Sequence, residues 1–172
     1  MALTKLNYTG QGTIPIANIP TITGAKLPTI PINKMPNAPT FSAYQSTIQT
    51  IAATTLTKLN YQTILWDTNS NFDTTNMRFL PTVSGYYQVT ASLQMGGYAT
   101  TGQLYFYKNG SMYKQVTSMT ATSAMTLMSG TTLVFLNGST DFVEVIVYIN
   151  GGQNLSASQT GTYFMGALVK NG

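Results

Sequence analysis

The chain has 172 residues and neither cysteine nor histidine, which excludes disulfides, thiolate or imidazole metal ligands and nucleophile–histidine catalysis. Charged residues make up 7 %, against roughly 25 % in a typical soluble domain, so the net charge of +4 reflects scarce acid. The basic residues do not cluster, which argues against nucleic-acid binding. No run approaches about eighteen apolar residues, and no basic segment precedes an apolar one near the N-terminus, so we expect neither a membrane partner nor a signal peptide.

Residues 1–40 form a proline-rich segment, called the arm below. Six of the seven prolines lie there, and each removes a backbone donor and favours extended geometry at the preceding residue. The pattern predicts an extended chain that could span on the order of 100 Å at ~3.1 Å per residue. Thr13-Ile-Pro-Ile-Ala-Asn-Ile-Pro20 recurs as Thr29-Ile-Pro-Ile-Asn-Lys-Met-Pro36, with five of eight positions identical.

The apolar content of the arm favours an anchor over its alternative, a plain proline-rich linker. Linkers are usually rich in Gly, Ser, Glu and Lys, whereas this arm carries large aliphatic side chains and has no core of its own. Such side chains should be buried against sister arms or a partner surface. The predicted anchoring residues are Ile14, Pro15, Ile16, Ile19, Pro20, Leu27, Pro28, Ile30, Pro31, Ile32, Met35 and Pro36.

A second repeat links the arm to the rest of the chain. Leu3-Thr-Lys-Leu-Asn-Tyr8 is identical to Leu56-Thr-Lys-Leu-Asn-Tyr61. One hypothesis is that the first copy adds to a sheet edge in a neighbouring protomer, as the second copy does within its own protomer.

Residues 41–172 carry the pattern of an antiparallel β-sandwich. The residues of 87–95 alternate between apolar and polar, as in a half-buried strand. Asn109-Gly110 predicts a type I′ hairpin turn, and Asn137-Gly138 predicts a break before a strand at 142–149. A last strand is predicted over 162–169. Many short strands with regular turn signals indicate a sandwich or jelly roll, and about 130 residues suffice for its core.

The strands at 142–149 and 162–169 are apolar on both faces, which predicts that both faces are covered. One face should fill the sandwich and the other should meet another subunit. Coverage by loops of the same chain is the alternative.

The segment from Phe41 to Val169 resembles the complement C1q/tumour-necrosis-factor-like jelly roll. The matching features are Phe41-Ser-Ala-Tyr44, the spacing of Phe79, Gly85 and Tyr87, the hairpin Lys108-Asn-Gly110, the run Leu136 to Val145, and Tyr163-Phe-Met-Gly-Ala-Leu168. The resemblance implies a homotrimer with the first and last strands near the three-fold axis. The candidate interface residues are Phe41, Tyr44, Phe142, Ile146, Tyr148, Tyr163, Phe164 and Met165.

The arm's Ile-Pro and Lys-Met-Pro strings resemble those preceding the trimeric knobs of bacteriophage fibres. This resemblance implies a virion surface protein whose residues 1–40 bind other capsid or tail proteins, made in the host cytoplasm. Within that role we favour a capsid decoration protein or short head fibre. The alternative is a tail-fibre or receptor-binding knob that recognises a host surface glycan or protein. Its candidate loops are 96–102, including Tyr98, 117–132 and 150–160.

Catalysis is not expected from the four acidic residues. Asp141 and Glu144 would point to opposite faces of one strand, so they cannot form a catalytic carboxylate pair. Asp67 and Asp73 lie in an Asn/Ser/Thr run, where Asp has ordinary turn chemistry. Some members of the resembled family bind calcium through clustered carboxylates, but Asp67 and Asp73 have no obvious third partner. We therefore expect no enzyme activity, no cofactor and no metal.

Overall fold

The computed structural model describes residues 38–172, except for the side chains of residues 98–100 and 121–126. Predictions about the arm, including both Ile-Pro copies and the first LTKLNY copy, lie outside the described residues. Within them the chain contains strands and no helix. The strands are β1 Thr40–Gln45, β2 Gln49–Ile51, β3 Thr57–Lys58, β4 Thr63–Asp67, β5 Phe72–Asp73, β6 Arg78–Phe79, β7 Gly85–Lys108, β8 Ser111–Leu136, β9 Val143–Ile149, β10 Gln153–Leu155 and β11 Ser158–Asn171.

Strand β7 confirms the alternation predicted from the sequence. The side chains of Tyr87, Val89, Ala91 and Leu93 are fully buried, and Met95 is 3 % exposed. The residues between them point to the opposite face of the sheet, because successive side chains of a strand alternate. One face of β7 therefore builds the core, and the other faces outward.

The predicted hairpin turn joins β7 to β8. Asn109 and Gly110 have φ angles of 53° and 77°, the left-handed conformation that a type I′ turn requires at both central residues. Lys108 pairs directly with Ser111 across it. The second predicted break is also present, since Gly138 has a φ of 72°. A Cβ on Gly138 would lie 2.4 Å from the backbone nitrogen of Ser84, which adds a steric need for glycine.

Two antiparallel layers pack face to face, and the long strands β7 and β8 contribute to both. The first layer has the order β4-β1-β11-β7-β8 and uses residues 85–94 of β7 and 127–136 of β8. The second layer places residues 102–108 of β7 between β9 and residues 111–119 of β8. The far edge of β9 pairs with β3 and β6, and β10 pairs with β2 and β7.

Aromatic rings fill the core between the layers. The ring of Phe41 stacks on Phe79 at a centroid distance of 4.1 Å and on Phe72 at 5.4 Å. Phe164 meets Phe41 edge-on at 4.9 Å, and Tyr61 lies 5.6 Å from Phe164. Removing one such buried ring typically costs about 3–5 kcal/mol. The β-sandwich predicted from the sequence is thus confirmed.

Two segments predicted as loops are strands instead. Residues 96–102 lie within β7 and residues 117–132 within β8. Their Gly, Ser and Thr content resembles turn sequence, but threonine also suits a pleated strand, and the cross-strand ladder satisfies the backbone whatever the side chains are. Tyr98 therefore belongs to a strand, and its side chain is outside the described part. The third predicted loop, 150–160, contains β10 and the start of β11.

Candidate subunit interface

The outward face of the first layer carries large apolar side chains that nothing in the described chain covers. They fall into two groups on either side of polar residues of β7. The groove patch, at the β4 and β11 side, is defined as Trp66, Met165, Ala167 and Val169. The edge patch, beside the outermost strand β8, is defined as Tyr86, Leu127, Leu133 and Phe135.

The groove patch surrounds a shallow cavity of about 370 Å³. Trp66 and Val169 on its walls are 50 % and 59 % exposed. Gly166 also lines the cavity, and a Cβ there would point inward, 2.8 Å from the ring of Phe41 and 3.0 Å from the side chain of Val89. The missing side chain therefore lets the core approach the backbone of β11 closely.

The edge patch is a ridge along β8 and the start of β7. Tyr86 packs edge-on against Phe135 with centroids 5.3 Å apart. The ammonium of Lys108 lies 5.7 Å from the centre of the Phe135 ring, and the hydroxyl of Tyr113 donates to the carbonyl of Leu133 at 2.9 Å. These contacts hold the aromatic side chains in place, while Leu133 and Leu127 remain about half exposed.

A polar seam separates the two patches. Gln88 and Thr90 lie on the outward face of β7, and Thr131 is opposite Thr90 on β8. The two threonine hydroxyls are 2.8 Å apart and share a hydrogen bond. The apolar surface is therefore not one continuous area but a groove and a ridge on either side of a hydrogen-bonded strip.

The structure divides the predicted interface residues among three places. Tyr44, Tyr163 and Met165 are half-buried on the outward side of β1 and β11, where Met165 belongs to the groove patch. Ile146 and Tyr148 lie on β9 in the second layer, and half-buried Phe142 contacts the guanidinium of Arg78 at 4.6 Å. The remaining two are Phe41 and Phe164.

Phe41 and Phe164 correct the prediction, because they belong to the core of a single chain. They are 1 % and 0 % exposed. The sequence showed β11 to be apolar on both faces, but did not show which face of β1 or of β11 is internal. In β1 and β11 the phenylalanines point inward, so they are not available to another subunit.

Sequence reasoning missed Trp66 and the whole edge patch. The signal for the edge patch was present in residues 133–136, where Leu133 and Phe135 alternate with the buried Val134 and Leu136. This is the same doubly apolar pattern that marks β9 and β11. Trp66 had no comparable signal, since it lies in a short strand whose neighbours Ile64 and Leu65 are also partly exposed.

The outward face of β9 is covered by the chain itself. Lys58 of β3 pairs in register with Ile146, and its ammonium lies 2.6 Å from the carboxylate of Glu144. On the other side of β9, Tyr105 and Tyr107 of β7 pair with Ile146 and Glu144, and these two residues are only 7 % and 6 % exposed. The alternative of coverage within the chain therefore holds for these two residues of β9.

Asp141 and Asp73 are engaged in local structure. Asp141 accepts hydrogen bonds from Asn109 at 2.7 Å and from the backbone of Asn137 at 3.1 Å, and it lies 2.8 Å from the Lys108 ammonium. The Lys108 bond, then that of Asn109, lowers the pKa of Asp141. Hydrogen bonds from Asn76 are the main cause of the lowered pKa of Asp73.

Asp67 accepts from the backbone of Phe72 at 2.6 Å, and Glu144 pairs with Lys58 as described. Each of the four carboxylates thus has a cation or a turn to stabilise. Within residues 38–172, no group of three acidic side chains could hold a metal ion together.

A smaller polar pocket lies away from both patches. Its volume is about 240 Å³, and its lining combines amide and hydroxyl side chains with glycines. The lining residues are Thr50, Gly96, Gly97, Gly152, Gln153 and Asn154. They come from β2, β7 and β10 and include parts of two predicted receptor segments.

Among the described residues, no helix is long and apolar enough to cross a membrane.

Comparison with solved structures identifies the fold as a C1q/TNF-like jelly roll. Murine APRIL matches at 13 % identity with a TM-score of 0.60, covering 77 % of this chain and all of that one. The globular domain of zebrafish complement 1qA matches at 18 % identity with a TM-score of 0.55, covering 78 % of this chain and 99 % of that one. The vertex protein P5 of phage PRD1 matches at 14 % identity with a TM-score of 0.59, covering 79 % of this chain and all of that one.

These likenesses are to the fold, and they confirm the fold class expected from the sequence. No protein-family model matches the chain, and no curated protein matches it either. The matched solved structures thus include proteins of animals and a phage vertex protein.

Proposed function

We propose that this chain is a homotrimeric, non-enzymatic structural protein of a phage virion surface, with a knob at residues 41–172 anchored by the arm. The observation that carries the proposal is the pairing of a groove patch and an edge patch on one sheet. The likeness to a phage vertex protein, together with the Ile-Pro repeats of the arm, supports the virion location.

The two patches suit a ring of identical subunits. They differ in shape and are separate parts of one layer, so the ridge of one copy can enter the groove of the next. Contacts between two different surfaces of the same protein form a closed ring if the rotation between copies closes. Three copies would then bury every patch, and each contact would need about 1,000 Å² of total buried area to be stable.

The arm supplies the attachment in this proposal. Its apolar side chains alternate with prolines that hold it extended, so they can contact another protein over a long path without a core of their own. We favour capsid decoration or a short head fibre, because an arm and one knob are sufficient for that role. Catalysis has no place in the proposal, since the four carboxylates stabilise turns and ion pairs.

Recognition of a host surface glycan or protein is the second candidate function. The polar pocket of about 240 Å³ favours it, because its uncharged amide and hydroxyl groups match the hydroxyls of a neutral sugar. Isolated knobs that neither bind host cells nor block infection would count against this role. Cell binding that is lost on Asn154→Ala, but not on Ile48→Ala at an exposed site elsewhere, would support it.

The trimer is tested by the mass of the full chain in solution, measured by light scattering after size exclusion. The wild type should have three times the 18.6 kDa chain mass. Trp66→Lys and Leu133→Lys should each give monomers that unfold at the wild-type temperature, whereas Ile48→Lys, at a loop residue that is 67 % exposed, should remain trimeric.

Mixing the two monomeric variants tests the ring directly. Trp66→Lys retains an intact edge patch and Leu133→Lys an intact groove patch, so the mixture should form a 1:1 dimer through the one remaining good contact. A wild-type monomer, or variants that stay trimeric, would contradict the proposed interface. Immunogold labelling of particles with and without residues 1–40 tests the virion location, and label on the head or on the tail separates the two virion roles.

A further inference from the structure

The repeated hexapeptide acquires a physical meaning from the position of its second copy. Residues 56–61 lie along the far edge of β9, opposite β7, where Thr57 and Lys58 pair with Val147 and Ile146. The amide of Leu59 continues this pairing by donating to the carbonyl of Val145 at 2.9 Å. The surface that receives residues 56–61 at this edge is called the edge slot.

Five of the six residues make contacts that depend on the edge slot. Leu59 and Tyr61 are 0 % and 1 % exposed, so the slot contains two specific apolar sites. Lys58 neutralises Glu144 at 2.6 Å, and the amide of Asn60 donates to the side chain of Gln49 at 3.0 Å. Only Leu56, at 51 % exposure, contributes little.

The first copy, residues 3–8, would meet the same requirements because its sequence is identical. Lys5 corresponds to Lys58, and Leu6 and Tyr8 correspond to Leu59 and Tyr61. A strand segment of matching sequence can add to a sheet edge or replace the segment already there. The two copies are therefore interchangeable occupants of one slot.

The backbone pairing of residues 56–61 is short, and buried side chains provide most of their contacts. The regular pairing spans only two residues of β3, and the preceding segment 52–56 is exposed. Within that segment Thr54 has a φ of 55°, a left-handed conformation that a β-branched residue adopts at a cost. The buried hydroxyl of Tyr61 has no hydrogen-bond partner among the described residues. Residues 56–61 are thus held by few backbone bonds and by the buried Leu59 and Tyr61, whose contacts an identical segment could take over.

We infer that residues 3–8 of one chain occupy the edge slot of a second copy of this chain, in exchange with that copy's own residues 56–61. The inference rests on the proposed self-association, which would hold neighbouring slots at a high effective concentration. Residues 9–37 separate the first copy from the described knob and could span about 90 Å at ~3.1 Å per residue, which is enough to reach a neighbouring knob. Because residues 3–8 and 56–61 have the same sequence, either segment would make the same contacts in the edge slot. The exchange would only change which chain supplies the segment.

Disulfide trapping can test this exchange without background, because the chain has no cysteine. Full-length Lys5→Cys chains are mixed with full-length Ile146→Cys chains under mild oxidation. Position 5 should then lie opposite position 146, as Lys58 does at home. We expect a disulfide-linked heterodimer at least tenfold more abundant than from Lys26→Cys with Ile146→Cys, the matched arm control.

Further variants separate the possible outcomes. A chain carrying both Lys58→Cys and Ile146→Cys reports that position 146 is reactive in the folded knob. Adding Leu6→Asp and Tyr8→Asp to the Lys5→Cys chain should abolish trapping. Equal trapping with Lys26→Cys, or trapping only within one chain that carries both Lys5→Cys and Ile146→Cys, would overturn the inference.

Carbodiimide coupling of the wild type avoids any change to the knob, should Ile146→Cys fail to fold. Mass spectrometry should then find a bond between Lys5 and Glu144 of different chains, which isotope-labelled mixtures distinguish from bonds within one chain. If the Lys58–Glu144 bond forms and the Lys5–Glu144 bond does not, the inference is overturned. A trimeric mass without trapping would overturn the exchange alone and leave the proposed function standing.

Discussion

Strands β9 and β11 look alike in sequence but have different surroundings in the structure. Both are apolar on both faces, and both place one face in the core. On β9 the outward Ile146 is 7 % exposed, and Lys58 of β3 and Tyr105 of β7 flank it on either side. On β11 the outward Val169 is 59 % exposed beside the groove patch. A doubly apolar strand therefore indicates that something covers it, but not whether that cover is the same chain or another.

The largest effect is expected when an acid is placed on each outward face in turn. Ile146→Asp would bury a carboxylate beside Glu144, and we expect it to lower the free energy of unfolding by about 3 kcal/mol or more. Val169→Asp, at an exposed site, should change it by no more than about 0.5 kcal/mol but should prevent trimer formation. Urea unfolding of both variants, together with their solution masses, makes the measurement. Similar stability losses in the two would remove the distinction between the strands.

The contribution of Lys58 to the stability around β9 can be tested by removing its charge. Lys58→Met keeps most of the side-chain volume but leaves Glu144 without its cation, so we expect a loss of about 1–3 kcal/mol in the free energy of unfolding. The Lys58 side chain is 40 % exposed, which places the loss below that of a fully buried pair. The double variant with Glu144→Gln should recover most of the stability. No recovery would show that Lys58 acts through packing and not through charge.

Two buried tyrosines provide the next comparison. The hydroxyl of Tyr87 donates to the carbonyl of Val83 at 2.8 Å, whereas that of Tyr61 has no partner among the described residues. Tyr87→Phe should therefore lower the free energy of unfolding by about 1 kcal/mol, while Tyr61→Phe should leave it unchanged or raise it by a similar amount. Thermal and urea unfolding of both variants decide this. A clear loss on Tyr61→Phe would mean that its hydroxyl has a partner after all.

Much of the fold could be predicted from local signals. The alternation at 87–95 has a period of two, and Asn109-Gly110 is the residue pair that a type I′ turn selects, so strand, face and turn followed from nearby residues alone. The jelly-roll class followed from matching motifs in the right order. These features depend on spacing along the chain, which the sequence states directly.

The interface could be predicted only in part, because it depends on which residues meet across the fold. The alternation of a strand places Phe164 and Met165 on opposite faces but does not say which of the two faces is internal. That choice is made by partners far away in sequence, such as Phe41 above Gly166. Trp66 belongs to the groove patch only because β4 pairs with β1 at the sheet edge, beside β11. Ile146 is likewise flanked by Lys58 of β3 and Tyr105 of β7, neither of which a local pattern connects to β9.

The smallest predicted effect concerns acid pH and Asp141 at the hairpin end, whose partner Lys108 lies beside Phe135 of the edge patch. Bonds from Lys108 and Asn109 lower the pKa of Asp141 in the folded chain. A carboxyl whose pKa is lower when folded contributes stability above its unfolded pKa of about 3.9, and loses that contribution as the pH falls through its folded pKa. Asp141→Asn should therefore cost about 1 kcal/mol at pH 7 and much less near pH 2.

Unfolding by urea at several pH values measures this difference between wild type and Asp141→Asn, in which titration of the other carboxyls cancels. The same treatment of Asp73→Asn should give the same direction, because hydrogen bonds from Asn76 lower the pKa of Asp73. Neither variant should change the solution mass, since neither residue lies in the groove patch or the edge patch. A loss of assembly on Asp141→Asn would extend the subunit contact to the hairpin end. The contrast between β9 and β11 would then no longer account for the whole interface.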